Sequence, residues 1–420
     1  MLTPAQVNPW DGVTLLLSLS IIKSRLIGAW APNVYVFNKV PQYSIELLDC
    51  CKSLSTFSNY GLGPVEKDLH ARVSGGSFHT NQFALDVILY FKFLNYSRRV
   101  AGPEEAHFVF LPLFFSLIQK SKKHCPHCSR GIAASTSAAT QTKFLEECLS
   151  HDEIVRKRVI ISLARTPPNY LDGLLAGKFY NFTRNWIFFG IEKPEIQLPL
   201  TVVMVPYPTI FHFSADKVSI QLSPRPVFVS FGSPRLGMDP VKSSPRSPDT
   251  MRLRNTLMSM LFASRTSLNI SVLTKSNFTI SRLYSIMKVS TFCIQPPGDT
   301  RTRRGFYDAL LLGCIPVLFN SKHRSADYDL RGFDLSRASI QVPEEAIVGG
   351  GGSIFKVLQE ISRSEILSMQ TYIAKHRSFL QYSSYQDERL DAFSMILDTL
   401  ETETTFCEHC LRNDTPGNLI

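Results

Sequence analysis

Charged residues are scarce in this chain, and long apolar runs are missing from it. Only 19% of the 420 residues are charged and 44% are hydrophobic, which excludes disorder for most of the length. The apolar run at residues 13–22 is shorter than the about 20 residues that a membrane-spanning helix needs. It has no positive segment before it and no small-residue cleavage site after it. We interpret it as a weak signal-like segment, a buried helix or the remnant of a longer anchor.

Signatures of nucleic-acid binding are also missing. The sequence has no basic run interleaved with aromatic residues, no zinc-finger spacing and no RNP-like motif. The formal charge of +10 is compatible with nucleic acid, lipid head groups or a nucleotide diphosphate, and charge alone does not choose among them. A small phosphorylated ligand needs only a few of the 45 Lys and Arg. We therefore expect no nucleic-acid partner.

Cysteines and glycosylation triplets are more abundant than in an average cytosolic enzyme. The chain contains nine cysteines, and N-x-S/T triplets begin at residues 95, 181, 269, 277 and 413. Together these features favour the secretory lumen.

Three cysteine pairs can be read in more than one way. The pairs Cys125-Pro-His-Cys128 and Cys407-Glu-His-Cys410 can form one zinc site, or disulfides that are local or join loop to tail, and we favour disulfides. Cys293 and Cys314 can pair if their strands are neighbours, or remain buried thiols.

Alternating strand and helix patterns predict an α/β fold in two halves. Residues 33–210 form the predicted N-terminal domain, with strands at 34–37, 107–113, 158–163 and 201–205, a helix at 81–93 and an exposed loop at 121–142. Residues 211–384 form the second domain, with strands at 227–231, 270–273, 292–294 and 315–319 and helices at 250–262, 280–288 and 304–312. Residues 1–32 precede these domains, and residues 385–420 form a C-terminal helix and tail. A capping box is predicted at Ser362 and Glu365, and an N-cap at Asp387.

The segment 295–319 carries the strongest ligand signal. Its order of strand, glycine-bearing loop, helix and strand places the loop where open α/β sheets bind ligands. Gly298 lets the backbone approach a phosphate, and the first helical turn attracts anions. Asp308 lies one turn after Arg304, so it can pair with that arginine or accept hydrogen bonds from ribose or sugar hydroxyls. Three arginines add positive charge that suits a diphosphate: Arg301, Arg303 and Arg304.

This segment resembles the nucleotide-sugar half of the exostosin family, glycosyltransferase family 47, and most of all its xyloglucan galactosyltransferase branch. The series runs from Gly298-Asp-Thr300 through Arg303-Arg304 and Asp308 to Gly313-Cys-Ile-Pro-Val317. Other matching stretches follow in order along the chain: Tyr35-Val-Phe-Asn38, Leu47-Leu-Asp-Cys50, Gly61-Leu-Gly-Pro64, Thr80-Asn-Gln-Phe-Ala-Leu85, Pro103-Glu-Glu-Ala-His-Phe108, Val205-Pro-Tyr-Pro-Thr209 and Ser230-Phe-Gly232 with Arg235.

The resemblance implies an inverting glycosyltransferase of GT-B fold, in which two Rossmann-like domains face a cleft and C-terminal helices close it. Its donor would be a UDP-sugar, of galactose or a related sugar, and its acceptor a glycan or polysaccharide in the Golgi lumen, with the enzyme membrane-associated. The fold requires no metal, and an oligomer with itself or with another glycosyltransferase is compatible with the family. By the same resemblance the donor site would comprise Gly298, Asp299, Thr300, Arg303, Arg304 and Asp308, with Arg235 on the diphosphate.

Inversion needs a base that takes the proton of the acceptor hydroxyl, and we expect it on the N-terminal domain. We select His212, near the crossover between the domains, and Glu105, before a buried strand. Glu104 is a further candidate, as is His79, which could instead cap a helix or contact a donor phosphate.

The chain departs from the family pattern around residues 174–184. Lys178 stands where the family has an arginine, and the tryptophan and Asp-His pair expected upstream are absent. Because the resemblance assigns the acceptor to the N-terminal domain, we do not assume a xyloglucan acceptor. The alternative function is a catalytically silent GT-B protein that binds glycan or supports an active partner.

Overall fold

The computed structural model describes most of the chain after residue 30. The described residues are 31–67, 76–132, 137–151, 154, 157–164, 181–192, 201–212, 220–232, 248–298, 300–320, 328, 330–349, 352–383 and 391–413, without the side chains of 137–138, 248–249 and 404–413. Among these residues, no helix combines the length and apolarity needed to cross a membrane.

Strands alternate with helices along the described chain, as the sequence predicted. The strands are β1 Val34–Val36, β2 Arg99–Val100, β3 Phe108–Leu111, β4 Arg158–Leu163, β5 Ile187–Gly190, β6 Thr201–Met204, β7 Val227–Gly232, β8 Ile270–Leu273, β9 Ser290–Gln295, β10 Ile315–Asn320 and β11 Ile340–Pro343. The helices are α1 Ile45–Cys50, α2 Leu85–Leu94, α3 Phe115–His124, α4 Ser137–Leu149, α5 Pro248–Ala263, α6 Ile280–Val289, α7 Arg304–Leu311, α8 Glu344–Val348, α9 Ile354–Gln359, α10 Arg363–His376 and α11 Ala392–Asn413.

The first six strands form one parallel sheet in the order β2-β1-β3-β4-β5-β6. Its central strands are apolar on both faces because helices cover them, and every residue of β3 and β5 is buried. The loop predicted at 121–142 is wrong in part: α3 extends to His124 and α4 begins at Ser137. Thr140 and Gln141 are buried there although they are polar.

The last five strands form a second parallel sheet in the order β11-β10-β9-β7-β8. Its predicted strands and helices are confirmed to within about two residues. Cys293 of β9 and Cys314, just before β10, form a disulfide between neighbouring strands, the first of the two alternatives, with 5.9 Å between their Cα atoms. Two parallel sheets with helices confirm the GT-B class. The predicted domain division at 210/211 stays a prediction, with one sheet on each side of it.

Of the C-terminal helices, α10 packs on β10 of the second sheet, whereas α11 returns to the N-terminal half. The capping box that starts α10 is confirmed, since Ser362 and Glu365 each accept the other's backbone N–H, at 3.2 and 2.8 Å. Asp387 lies outside the described residues, and α11 begins at Ala392 with Asp391 accepting the N–H of Phe393 at 2.8 Å.

A buried ion pair attaches the start of α11 to α2 of the N-terminal half. Lys92 Nζ of α2 lies 2.7 Å from Asp391 Oδ2, and both side chains are about 95% buried. The Phe393 ring packs on Phe93 with 4.9 Å between centroids. The start of α11 therefore belongs to the core of the N-terminal half.

Two further disulfides join α1 to the end of α3. Cys50 pairs with Cys128, and Cys51 with Cys125. The prediction that Cys125 and Cys128 form disulfides is confirmed. Their partners are Cys50 and Cys51, whereas the sequence suggested a bond within the motif or a bond to the C-terminal tail. The side chains of Cys407 and Cys410 lie outside the described residues.

The neighbouring His127 does not turn this cluster into a zinc site. Its ring lies with Cys50 and Cys128 in a group whose ligand atoms are within 4.8 Å of one another. Because both sulfurs belong to a disulfide, they are not available as thiolate ligands.

Candidate functional site

The loop after β9 is held by two arginines. Arg254 of α5 is buried and donates to the carbonyls of Pro296, at 3.3 Å, and Pro297, at 2.6 Å. Arg303 donates to Pro296 O at 2.7 Å. The N–H of Gly298 closes the loop by donating to Thr300 O at 2.9 Å. The loop is thus built on fixed positive charge, which favours an anionic ligand.

Helix α7 starts close against β9. A Cβ on Gly305 would lie 2.6 Å from Gln295 Oε1, so a larger residue there would displace the end of the Gln295 side chain. The N–H of Arg303 donates to Tyr328 Oη at 3.0 Å, and the Tyr328 ring stacks on Phe306 at 3.9 Å. These contacts fix the helix N-terminus, whose amides and dipole attract phosphate.

Arg304 and Asp308 form the pair that their spacing allowed. Arg304 Nε lies 3.5 Å from Asp308 Oδ2. Each also contacts the N-terminal half: Arg304 donates to Thr80 O at 3.1 Å, and Asp308 Oδ1 accepts the N–H of Ile210 at 3.4 Å. Burial raises the pKa of Asp308 to about 6, although the charge of Arg304 opposes the rise.

Glu192 is the carboxylate that faces this loop from the N-terminal half. It follows β5, directly beyond the C-terminal end of that strand, and is 6% exposed. Its Oε1 accepts a hydrogen bond from the hydroxyl of Thr300, at 2.5 Å, and another from the hydroxyl of Tyr207. Burial and then the charge of Glu192 raise the pKa of Tyr207 well above its ordinary value, so that hydroxyl remains a donor.

Sequence reasoning missed Glu192. The available signal was a carboxylate two residues after the apolar run Ile187-Phe-Phe-Gly190, at the strand end where α/β folds bind ligands. We had not recognised that run as a strand.

His79 forms a second carboxylate-linked group near the cleft. Its Nε2 lies 2.7 Å from Glu66 Oε2, and about half of the imidazole side chain, 48%, is exposed. The next residue is Thr80, whose carbonyl accepts from Arg304. Among the described hydrogen bonds His79 does not cap a helix, and its imidazole is oriented by the Glu66 carboxylate. A contact of His79 with a donor phosphate stays a prediction.

His212 is buried, and both of its ring nitrogens are engaged. Nδ1 donates to Tyr382 O at 2.6 Å, and Nε2 lies 2.8 Å from Thr80 Oγ1. Burial lowers the pKa of His212 to about 4. The ring links the crossover to both halves, and this geometry does not support the predicted role as base.

Glu105 lies at the wrong edge of the sheet for the predicted role. It is exposed and precedes β3, whereas Glu192 follows β5. Because the strands are parallel, these two residues lie at opposite edges of the sheet. The predicted donor residues Asp299 and Arg235 lie outside the described residues, as do residues 174–180 of the departing segment.

Residues 183–358 match the family model for the exostosin GT47 domain. This matched stretch identifies an exostosin GT47 domain within the chain. The matched region contains Glu192, the arginine-supported loop and α7, so the site lies inside the family domain. The chain is thus an exostosin-like glycosyltransferase.

The chain is similar to proteins of the plant Arabidopsis thaliana. A probable xyloglucan galactosyltransferase of Arabidopsis thaliana is 24% identical over 81% of this chain and 74% of its own length. The xyloglucan galactosyltransferase MUR3 of the same plant is 24% identical over 93% of this chain and 65% of its own length. Among solved structures, WaaG, a glycosyltransferase involved in lipopolysaccharide biosynthesis, aligns with TM-score 0.36 and 10% identity over 74% of this chain and 95% of that one.

Proposed function

We propose that this enzyme transfers galactose or a related sugar from a UDP-sugar to a glycan or polysaccharide acceptor, with inversion and without a metal ion. The observation that carries the proposal is the loop before α7, supported by Arg254 and Arg303, facing the carboxylate of Glu192. The names of its relatives support galactose and a xyloglucan-like acceptor. In this proposal the enzyme works in the Golgi lumen at the membrane, and its disulfides agree with an oxidising compartment.

In this proposal the donor diphosphate lies against the N-terminus of α7. Arg303 and Arg304 supply the positive charge that a metal ion supplies in other phosphate sites, and this charge stabilises the departing UDP. Gly298 and Thr300 contribute backbone groups of the loop to donor binding. Asp308 accepts hydrogen bonds from hydroxyl groups of the ribose or the sugar. Arg235 and Asp299 remain proposed donor contacts.

The transfer step assigns Glu192 as the base. The acceptor hydroxyl gives its proton to the Glu192 carboxylate as its oxygen bonds to the anomeric carbon. On the opposite side of that carbon the bond to the diphosphate oxygen breaks, and its electron pair leaves with UDP. Attack from the side opposite the leaving group inverts the configuration. When the acceptor binds, its hydroxyl replaces the Thr300 hydroxyl as a hydrogen-bond donor to the Glu192 carboxylate.

Specific contacts favour two alternatives to Glu192 as the base: a different base, or a protein without catalytic activity. His79, oriented by Glu66, has the arrangement of a base with its orienting carboxylate and is the alternative base. Glu192 already accepts hydrogen bonds from two hydroxyl groups. This favours the alternative of a catalytically silent protein, in which Glu192 only holds the loop.

The proposal is tested by hydrolysis and transfer assays with a panel of UDP-sugars. We expect Arg304→Ala to lower kcat/KM by roughly 10²- to 10³-fold, the usual cost of removing one group that stabilises developing charge. Arg282→Ala, an exposed arginine on α6 of the same half, is the matched control and should leave activity unchanged. A chelator should leave the rate unchanged as well.

Two results would overturn parts of the proposal. UDP binding without turnover of any sugar would establish the catalytically silent alternative, and absence of both would discard the donor site. Loss of activity with chelator, restored by a divalent cation, would contradict the metal-independent mechanism.

A further inference from the structure

A cavity of about 360 Å³ opens on the N-terminal half, and none of its lining residues belongs to the candidate donor site. Its apolar wall includes Phe57 and Phe91, and its rim carries the exposed polar residues Asp49, Lys52 and Asn59. The volume lies in the range of small-molecule sites. The proposed transfer step makes no use of it.

The rim contains a tyrosine held in a strained conformation. Asn59 and Tyr60 both have left-handed backbone angles, with φ of 49° and 58°. Such a conformation costs roughly 1–3 kcal/mol per residue and persists only where the surroundings impose it. Here the N–H groups of Leu62 and Gly63 impose it by donating to Asn59 O at 3.1 Å and Ser58 O at 2.9 Å.

This turn leaves the Tyr60 ring half in solvent and half against the cavity wall. The ring is packed edge-on against Phe91 with 5.0 Å between centroids, and Tyr60 is 38% exposed. The strain therefore maintains an aromatic surface at the mouth of the cavity.

The cavity is preformed and rigid. Gly61 lies so close to α2 that a Cβ there would be 2.8 Å from Ile88 Cγ1 and 3.0 Å from Ile88 N. On the other side, Cys51 lines the cavity and is bonded to Cys125. A ligand would find the aromatic surface already in place, without an ordering cost.

The same turn is continuous with the donor site. Two residues after Tyr60, the carbonyl of Leu62 accepts from Thr80 Oγ1 at 2.7 Å, and the carbonyl of Thr80 accepts from Arg304 at 3.1 Å. The turn beside the cavity is therefore tied to the donor-site arginine through Thr80.

We propose that this cavity is a secondary subsite for the acceptor polysaccharide, which binds a sugar of the chain outside the cleft. A sugar ring has an apolar C–H face that packs on Tyr60, and hydroxyls that pair with Asn59 and with the charged rim. The rim carries one acidic and one basic residue, Asp49 and Lys52, so it suits a neutral polyhydroxyl ligand and not an anion. The identity of the chain as the acceptor rests on the proposed function.

Affinity electrophoresis in gels that contain soluble xyloglucan tests the subsite without any need for catalysis. We expect the full-length protein to be retarded and Tyr60→Ala to bind roughly tenfold more weakly, a change equal to about 1.4 kcal/mol. Tyr60→Phe retains the ring and should be retarded like the parent. Phe262→Ala removes an equally exposed aromatic from the other half and is the matched control.

The outcomes separate this proposal from the donor-site proposal. A parent protein that is not retarded, or a Tyr60→Ala variant retarded as strongly as the parent, overturns the subsite. Equal loss in Tyr60→Ala and Phe262→Ala also overturns it, because the effect is then not local. UDP-sugar hydrolysis should be the same in Tyr60→Ala as in the parent, so failure of hydrolysis in all proteins counts against the proposed function and not against the subsite.

Discussion

The two sides of the cleft are built from different chemistry and from different spans of sequence. The C-terminal side has cations and a helix N-terminus, with Arg303 and Arg304 adjacent in the chain. The N-terminal side has a buried carboxylate, Glu192, and an imidazole paired with a carboxylate, His79 with Glu66. One side is suited to hold an anion and the other to accept a proton. A short motif supplies the cations of the first side, Arg303 and Arg304, whereas the groups of the second side come from separate parts of the chain.

The strongest test of this division replaces Glu192 by glutamine, which retains the shape of the side chain and removes its basicity. Since general bases contribute roughly 10²- to 10⁴-fold, we expect the transfer rate of Glu192→Gln to fall about a thousandfold. Its affinity for UDP should remain, because the anion is held from the other side. Single-turnover transfer and calorimetric UDP binding measure the two quantities separately.

His79→Gln is the matched variant for the other proton acceptor. Under our assignment its transfer rate falls far less than that of Glu192→Gln. The reverse order would make His79 the base, and a joint loss of UDP affinity in both variants would break the proposed division of labour.

A second test acts on the connection between the halves. Lys92→Met leaves Asp391 buried without its cation, although Ser383 still donates to that carboxylate. We expect the free energy of unfolding to fall by about 3 kcal/mol, measured by urea denaturation. Lys356→Met changes an exposed lysine on α9 and should be nearly neutral. A Lys92→Met protein as stable as that control would show that the ion pair does not stabilise the return of the chain.

The smallest expected effect is on the free energy of unfolding. It arises because Asp308, on the cationic side of the site, is a buried carboxylate. The pKa of Asp308 rises from an ordinary 3.8 to about 6 in the folded chain, so between these pH values the folded state binds more protons than the unfolded one. Stability therefore decreases as pH rises from about 4 to 6, and the loss is complete above that window. Asp308→Asn should be more stable than the parent at pH 7, because the neutral amide avoids the cost of a buried charge.

The measurement is a series of denaturation curves between pH 4 and 8. The difference between parent and Asp308→Asn should grow up to pH 6 and then stay constant. Asp86, whose pKa burial also raises, is present in both proteins and cancels. Parallel curves at all pH values would contradict the role of burial at Asp308.

The comparison of the two sides also explains how far the sequence could predict this molecule. The strands and helices of the second half were predicted because their apolar periodicity is local, and the Arg304–Asp308 pair followed from helical spacing. Glu192 was missed since its partners Thr300 and Tyr207 are distant in sequence. His212 was selected for its position near the crossover, but sequence alone did not show that both ring nitrogens are occupied. The partners of Cys125 and Cys128 were likewise fixed by the packing of α1 on α3.

The buried contact of Lys92 with Asp391 also has a consequence for biosynthesis. The two residues are 299 positions apart, and a ribosome that adds about 5–20 residues per second needs roughly 15–60 s between them. During that interval the ammonium group and the apolar surface that later receives Phe393 have no partner from the C-terminal segment. The half of the enzyme that is translated first is therefore the last to complete its core.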